Sequence, residues 1–198
     1  AVMVKELRER TGSGMMECKR ALTEANGDME AAIEHMRKTG LTKADKKAGR
    51  TAAEGCVCVK LSNDGKTAAL VEINSETDFV AKADDFIKFA NDVTEGLLAS
   101  NVSSVEQLLA LSLGGSSVDE TRRALVAKLG ENLNLRRFGR YTTTDGVLAG
   151  YSHASRIGVL VELKNGSAEL GRDIAMHVAA AAPVCLDDAG VAPELIAK

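Results

Sequence analysis

The chain has 198 residues, of which 45% are hydrophobic and 27% charged, with a formal net charge of −3. This balance excludes bulk disorder, and the near-neutral charge argues against a protein that coats nucleic acid. No apolar run reaches the ~18 residues of a membrane span, so no membrane partner is expected. The N-terminus reads as a charged helix rather than a signal peptide, which predicts a cytoplasmic protein.

Three short helices are predicted for residues 1–42, and we expect them to form a compact N-terminal module. A turn that contains glycine and serine at 11–14 separates the first two helices. Ser13 is predicted to begin the second helix, and Asp28 to cap the third. Gly40 is predicted to end the third helix, because glycine commonly follows a helix C-terminus.

A basic linker is predicted over residues 43–54. Its basic residues are Lys43, Lys46, Lys47 and Arg50. Residues 1–52 hold 11 Lys and Arg against 8 Asp and Glu, whereas the remainder holds 14 against 20. An acidic partner would suit the N-terminal part, although a solvated charged face is the commoner explanation.

The period of the apolar residues changes to two at Cys56, which predicts an α+β core after the helical module. Two hairpins are predicted, with strands at 56–61 and 67–73, and at 147–153 and 157–163. Between them we predict a helix capped by Asp84, helices at 105–113 and 120–129, and a strand at 133–141. A final helix is predicted at 173–182. The predicted core subdomains are 55–144 and 145–182.

The core contains an internal repeat. The sequence LVEI at 70–73 matches LVEL at 160–163, and the helices that follow align at 87–90 and 174–177. The first copy continues to a third strand, whereas the second stops before one. Because a two-stranded ribbon with one covering helix is marginally stable, the second subdomain is predicted to be incomplete in this chain or completed by a partner.

The sequence offers no catalytic constellation, so an enzyme is not expected, and neither is a cofactor. No phosphate-binding loop of the GxxxxGK[ST] type occurs, and no serine or cysteine lies in a triad pattern. The cysteines are Cys18, Cys56, Cys58 and Cys185. Their spacing does not fit a zinc site, and we interpret them as reduced thiols.

The strand-to-helix connection at 74–81 admits two interpretations. In the structural one, Thr77 or Asp78 caps a helix while Phe79 and Val80 tuck inward. In the functional one, Phe79 projects as an aromatic wedge of the kind that carries binding energy at interfaces. Only 3% of the residues are aromatic, so an exposed phenylalanine would stand out.

Several motifs closely resemble the bacterial elongation factor Ts family. They are Thr77-Asp78-Phe79-Val80 and the segments 8–19, 128–132, 153–158 and 175–179. The resemblance runs over nearly the whole chain. It implies an N-terminal module like a ubiquitin-associated domain, followed by two related subdomains in which antiparallel sheet packs with helices.

The resemblance also implies a guanine-nucleotide exchange factor for elongation factor Tu, the expected partner. Thr77, Asp78, Phe79 and Val80 would disturb the Mg²⁺ site of elongation factor Tu, with Phe79 inserted between helices of its G domain. Mg²⁺ requires near-ideal octahedral geometry, so a small shift weakens its binding, and GDP relies on that cation. GDP would then leave and GTP rebind, without direct nucleotide binding by the chain itself.

Further partner-binding residues are implied by the same resemblance. They are Arg8, Met15, Met16, Lys19, Leu129, Gly130 and His153. For Leu129 and Gly130, the end of a helix with a glycine cap is an equally good account.

Family members of the long type continue into a dimerisation segment, whose start we expect at 183–198, and then complete the second subdomain. Formation of a homodimer is therefore a possibility if the full-length chain is present. Two alternatives without exchange activity stay open as well. One is an adaptor whose helical module binds other proteins, and the other is an RNA-binding protein that uses the basic residues from Lys43 to Arg50.

Overall fold

The computed structural model describes residues 2–196 and confirms the predicted α+β class. The helices are α1 (Val2–Thr11), α2 (Met15–Glu24), α3 (Met29–Lys47), α4 (Asp78–Ala81), α5 (Asp84–Ala99), α6 (Val105–Ala110), α7 (Val118–Leu129), α8 (Ala168–Ala181) and α9 (Pro193–Ile196). The strands are β1 (Glu54–Leu61), β2 (Thr67–Ser75), β3 (Ser112–Leu113), β4 (Ser116–Ser117), β5 (Asn134–Thr142), β6 (Val147–His153) and β7 (Ile157–Leu163). A single 3-10 turn is described at Asp188–Gly190.

The contacts divide the chain into two compact units. One unit contains the residues up to Cys56 together with Val71–Phe138, and the other contains Val57–Leu70 and the residues from Gly139 onward. The predicted domain boundaries stay predictions. The predicted dimerisation segment includes residues 197 and 198, which lie outside the described residues.

The N-terminal helices pack around a small aliphatic core. Its buried residues are Leu7, Cys18, Ala21, Leu22 and Ala32. The Asp28 cap is confirmed, because its carboxylate accepts a 2.9 Å hydrogen bond from the Ala31 amide. The start of α2 differs from the prediction: Gly14 rather than Ser13 precedes the helix, and no side chain caps it.

The prediction that Gly40 ends the third helix is wrong, because α3 continues to Lys47. Gly40 instead faces α7, where a Cβ atom added to it would lie 3.2 Å from the Cβ of Ala127. The glycine therefore allows a close approach of two helices rather than a chain reversal. As a result, the lysines predicted to begin a linker lie on the last turns of α3.

Strands β1, β2 and β5 form a sheet in the order β1-β2-β5. The predicted periodicity of α5 is confirmed: Phe86, Phe89, Ala90, Val93 and Leu97 are all buried. Three helix limits differ from prediction, and one of them is the start of α7, which lies at Val118 rather than at Glu120. Asp84 is the first residue of α5 and follows the cap position Ala83. α6 ends at Ala110 because the chain turns into β3.

In the second unit, β6 pairs with β7 in antiparallel register from Val147 opposite Leu163 to His153 opposite Ile157. α8 packs on both strands and buries Ala175. It begins at Ala168, earlier than predicted, because Ser167 caps it by accepting a hydrogen bond from the Leu170 amide. α9 follows, so the predicted final helix is not the last of those described.

Within residues 2–196, no helix combines the length and the apolar character that crossing a bilayer requires.

Candidate partner-binding site

The segment between β2 and α5 presents one aromatic side chain to solvent. Thr77 caps α4, because its hydroxyl oxygen accepts a 3.4 Å hydrogen bond from the Val80 amide. Val80 is only 9% exposed, whereas Phe79 is 83% exposed. The structural interpretation, in which both side chains tuck inward, is therefore right for Val80 and wrong for Phe79.

Helix geometry explains this opposition. Consecutive residues of an α-helix point about 100° apart, so burying Val80 turns its neighbour Phe79 away from the protein interior. Asp78 lies half-buried beside it, and its carboxylate accepts a 2.7 Å hydrogen bond from the Lys82 amine. The single turn α4 therefore places an apolar ring and a paired acidic group next to each other.

A carboxylate from another part of the chain holds the start of this turn. One oxygen of Glu131 accepts a 2.6 Å hydrogen bond from the Thr77 hydroxyl, and the other accepts a 3.0 Å bond from the Thr77 amide. Both donors of Thr77 are thus bound by one side chain. Hydrogen bonds to a charged acceptor are about twice as strong as neutral ones.

Glu76 and Asn132 make the reciprocal contact. Glu76 accepts a 2.6 Å hydrogen bond from the Asn132 amide and forms a 2.7 Å ion pair with Arg50. The Asn132 side chain donates to the carbonyl oxygens of Ala48 and Arg50, at 3.3 and 2.8 Å. These contacts join the segment after β2, the loop after α7 and the residues after α3.

Leu129 and Gly130 lie at the end of α7, next to Glu131. Gly130 adopts a left-handed conformation with φ of 82°, and its amide donates a 3.0 Å hydrogen bond to the Val126 carbonyl oxygen. This is the glycine cap that was the alternative account of these two residues. The Lys47 amine also donates to the Gly130 carbonyl oxygen. The structure therefore brings Leu129 and Gly130 together with the Thr77–Val80 segment.

The predicted contact residues of the N-terminal module are solvent-exposed. Arg8 lies on α1, Met15 and Met16 form the first turn of α2, and Lys19 follows on the same helix. The two methionines are among the exposed large apolar side chains of the chain. Flexible thioether side chains in such a position suit an adaptable contact surface.

His153 is described with the second unit. It is exposed at the end of β6, and its Nδ1 lies 3.1 Å from the Tyr151 hydroxyl. The residues that follow, Ala154 and Ser155, have positive φ angles in the turn to β7.

Lys43 and Lys47, two of the basic residues after Thr42, each donate to an acceptor elsewhere in the first unit. The hydrogen bond from Lys43 holds the pKa of Glu17 below its usual value, although partial burial opposes this. The Lys47 amine donates to the Gly130 carbonyl oxygen.

Cys18, Cys56, Cys58 and Cys185 form no disulfide bond. In the part of the chain that the structure describes, no group of three or more His, Cys, Asp and Glu side chains could hold a metal ion.

Sequence reasoning missed Glu76, Glu131 and Asn132 as contributors to this site. Glu131 and Asn132 follow the glycine cap of α7, where a turn of the chain brings polar side chains back toward the fold. Asn132 is buried, and buried polar side chains are normally hydrogen-bonded. The sequence does not show this burial, because it depends on the contact between the loop after α7 and the residues that follow α3.

Comparison with known proteins gives the family. The family model described as "Elongation factor TS" matches residues 76–198. The protein named elongation factor Ts from Methylococcus capsulatus is 64% identical over 199 residues, covering 100% of this chain and 68% of that protein. The corresponding protein from Thioalkalivibrio sulfidiphilus is 60% identical with the same coverage. The one from Arthrospira platensis is 56% identical over 92% of this chain and 74% of its own length.

The match to the family model spans more than half of the chain, and the identities hold over nearly all of it. The chain therefore belongs to the elongation factor Ts family of translation elongation factors.

Proposed function

We propose that this chain binds elongation factor Tu in its GDP-bound form and promotes release of the GDP. The observation that carries the proposal is the exposure of Phe79, at 83%, on a turn whose neighbouring Val80 is buried. A large apolar ring held in water by a hydrogen-bonded support is the arrangement of an interface anchor.

The proposed mechanism needs no bond to be made or broken by the chain. Phe79 enters between helices of the G domain of elongation factor Tu, with Asp78 beside it, and shifts the surroundings of the Mg²⁺ ion. Mg²⁺ tolerates little departure from octahedral geometry, so its affinity falls and that of GDP falls with it. By linkage, GTP binding weakens the complex equally, and the chain is expelled.

Thr77 and Val80 support Phe79, and the other contacts are proposed to add affinity. Arg8, Met15, Met16 and Lys19 supply a first surface. Leu129 and Gly130 supply a second, beside the Thr77–Val80 segment, and His153 supplies a third. Because the chain is proposed to act by binding alone, its proposed role is that of an exchange factor rather than an enzyme, with no cofactor of its own.

The RNA-binding alternative is disfavoured by the partners of three of its four basic residues. Lys43 is paired with Glu17, Lys47 with the Gly130 carbonyl oxygen, and Arg50 with Glu76. A protein that neutralises phosphates needs such cations free to exchange counterions.

The decisive experiment measures release of fluorescent GDP from elongation factor Tu with increasing amounts of the chain. We expect the wild-type chain to accelerate release. Phe79→Ala should lower the maximal rate at least about tenfold, in the range of a lost interface anchor. The melting temperature should stay unchanged, because the ring is exposed in the free chain.

Ile87→Ala is the matched control, since Ile87 is also an exposed apolar residue of the first unit, on α5. It should release GDP at the wild-type rate. Wild-type kinetics from Phe79→Ala would contradict the role of Phe79. Absence of any acceleration by the wild-type chain would favour the adaptor alternative.

A further inference from the structure

We propose that Glu131 is a positioning residue for exchange: its carboxylate fixes Thr77 so that Phe79 is presented in a binding-ready orientation. This inference rests on the proposed function of Phe79. It adds Glu131, which lies far from Phe79 in the sequence and is not among the proposed partner-binding residues. It follows from hydrogen bonds within the first unit.

Phe79 cannot orient itself by packing, because most of its surface faces solvent. Its direction therefore depends on the backbone of α4, which is a single helical turn of four residues. An isolated turn of this length is unstable in water, since nucleation of a helix costs more than one hydrogen bond returns. The turn must be held at its ends by the rest of the protein.

The C-terminal side of α4 is held by burial of Val80. The N-terminal side is held at Thr77, whose amide and hydroxyl both donate to Glu131, at 3.0 and 2.6 Å. The same hydroxyl oxygen accepts from the Val80 amide across the turn. Glu131 thus sets the rotation of the Thr77 side chain, and that side chain in turn caps α4.

Glu131 is itself held by its neighbours. Asn132 is buried and donates through its backbone amide to Glu76, and through its side chain to the carbonyl oxygens of Ala48 and Arg50. The carboxylate at 131 is consequently attached to a fixed loop. A fixed support lowers the ordering cost that Phe79 would otherwise incur on binding.

The first test is a double-mutant cycle on GDP release. Glu131→Gln keeps the shape of the side chain but replaces one of the two acceptor oxygens with an N–H donor. We expect it to lower the maximal release rate about tenfold in the wild-type background, and less than about twofold in a Phe79→Ala background. The half-saturating concentration should change less than the maximal rate, because Glu131 orients Phe79 without contacting the partner.

Glu120→Gln is the matched control. Glu120 lies on the adjacent helix α7, and its carboxylate accepts a 2.9 Å hydrogen bond from the Ser117 amide at the other end of that helix. Its substitution should leave the release rate unchanged in both backgrounds. Equal losses from Glu131→Gln with and without Phe79 would overturn the inference, because the residue would then act independently of the ring.

The second test needs no partner. The chain contains no tryptophan, so Phe79→Trp introduces a single fluorescent reporter at the site. Adding Glu131→Gln should increase the fast component of its fluorescence anisotropy decay, whereas adding Glu120→Gln should not. Unchanged anisotropy with an intact far-ultraviolet circular dichroism spectrum would overturn the positioning role.

The two tests separate this inference from the proposed function. If the wild-type chain fails to stimulate GDP release, the proposed function fails, and the anisotropy experiment still decides whether Glu131 orders position 79. If Phe79→Ala impairs release but Glu131→Gln acts equally in both backgrounds, only the inference fails.

Discussion

The two copies of the internal repeat differ most where a strand connects to the following helix. From β2 to α5 the connection spans residues 76–83 and contains the turn α4, whereas from β7 to α8 it spans only residues 164–167. The long connection exposes Phe79 and is held by Glu131. The short one needs only the Ser167 cap.

The helices after these connections also differ, because α5 buries large side chains that α8 leaves exposed. α5 buries two phenylalanines, Phe86 and Phe89, while the side chains of Leu170 and Met176 on α8 are exposed. A deeply buried helix gives a rigid base from which a long connection can carry an exposed ring. Both copies of the repeat share a strand followed by a helix, and the extra residues in one copy carry the exposed ring to which the proposed function is assigned.

The largest expected effect is on the free energy of unfolding, when the aligned residues Phe89 of α5 and Met176 of α8 are each replaced by alanine. Phe89→Ala should lower the free energy of unfolding of the first unit by about 3–5 kcal/mol, because a buried aromatic ring leaves a cavity. Met176→Ala should cost the second unit less than about 1 kcal/mol, because that side chain is already partly in water.

Hydrogen exchange read peptide by peptide is the suitable measurement, since it reports each unit separately. Far-ultraviolet circular dichroism at low temperature checks that both variants fold. Similar losses of protection in α5 and α8 would show that the two helices are equally important for stability. The proposed difference between the two copies of the repeat would then be wrong.

An intermediate effect is expected at the two helix caps. Thr77→Val removes the cap of α4 and leaves the Glu131 carboxylate without its partner hydroxyl, so we expect a loss of about 1–3 kcal/mol in local stability. Ser167→Ala removes only a cap, and about 1 kcal/mol is expected at the start of α8. Exchange rates of the amides in each first turn measure both losses.

Thr77→Ser is the control, because it keeps the hydroxyl. It should retain most of the protection that Thr77→Val loses. If Thr77→Val and Ser167→Ala cost the same, the Glu131 contact adds nothing to the cap.

The smallest effect concerns pH and the matching residues Glu72 and Glu162 of the two strands. Burial raises the pKa of Glu72, but hydrogen bonds from Arg137 and Asn74 outweigh it and hold the pKa below its ordinary 4.5. A carboxylate with a lowered pKa stabilises the fold above pH 4.5, and this stabilisation is lost as pH falls through the folded-state value.

Glu72→Gln should therefore flatten the loss of stability of the first unit below about pH 4.5, as measured by urea unfolding at a series of pH values. Glu162 is exposed, and surface charges contribute little, so Glu162→Gln should leave the acid limb unchanged. If the free energy of unfolding of Glu72→Gln fell more steeply below pH 4.5 than that of the wild type, the pKa of Glu72 would not be lowered in the folded state.

Local patterns in the sequence were enough to predict most elements. The strands of the second hairpin, the spacing of Phe86 and Phe89 in α5, and the Asp28 cap all depend on neighbours in the chain. The α+β class and the family follow from such patterns together with the motifs around Thr77.

The remaining features depend on contacts between distant residues. Gly40 reads as a helix end, but in the structure it accommodates Ala127, a residue far along the chain. The same is true of Glu131, whose partner Thr77 is 54 positions away. Sequence periodicity identifies which residues form a helix, but it cannot show which side chain of another element meets them.

The extension of α3 to Lys47 has a consequence for how the N-terminal helices can be handled as a unit. A piece that ended at residue 42 would cut the helix before Lys43 and Lys47, and so would remove the partners of Glu17 and of the Gly130 carbonyl oxygen. Transplanting these helices onto another protein would therefore require the chain through Arg50 and a counterpart for the loop after α7. In this fold the N-terminal helices and residues 71–138 belong to one compact unit.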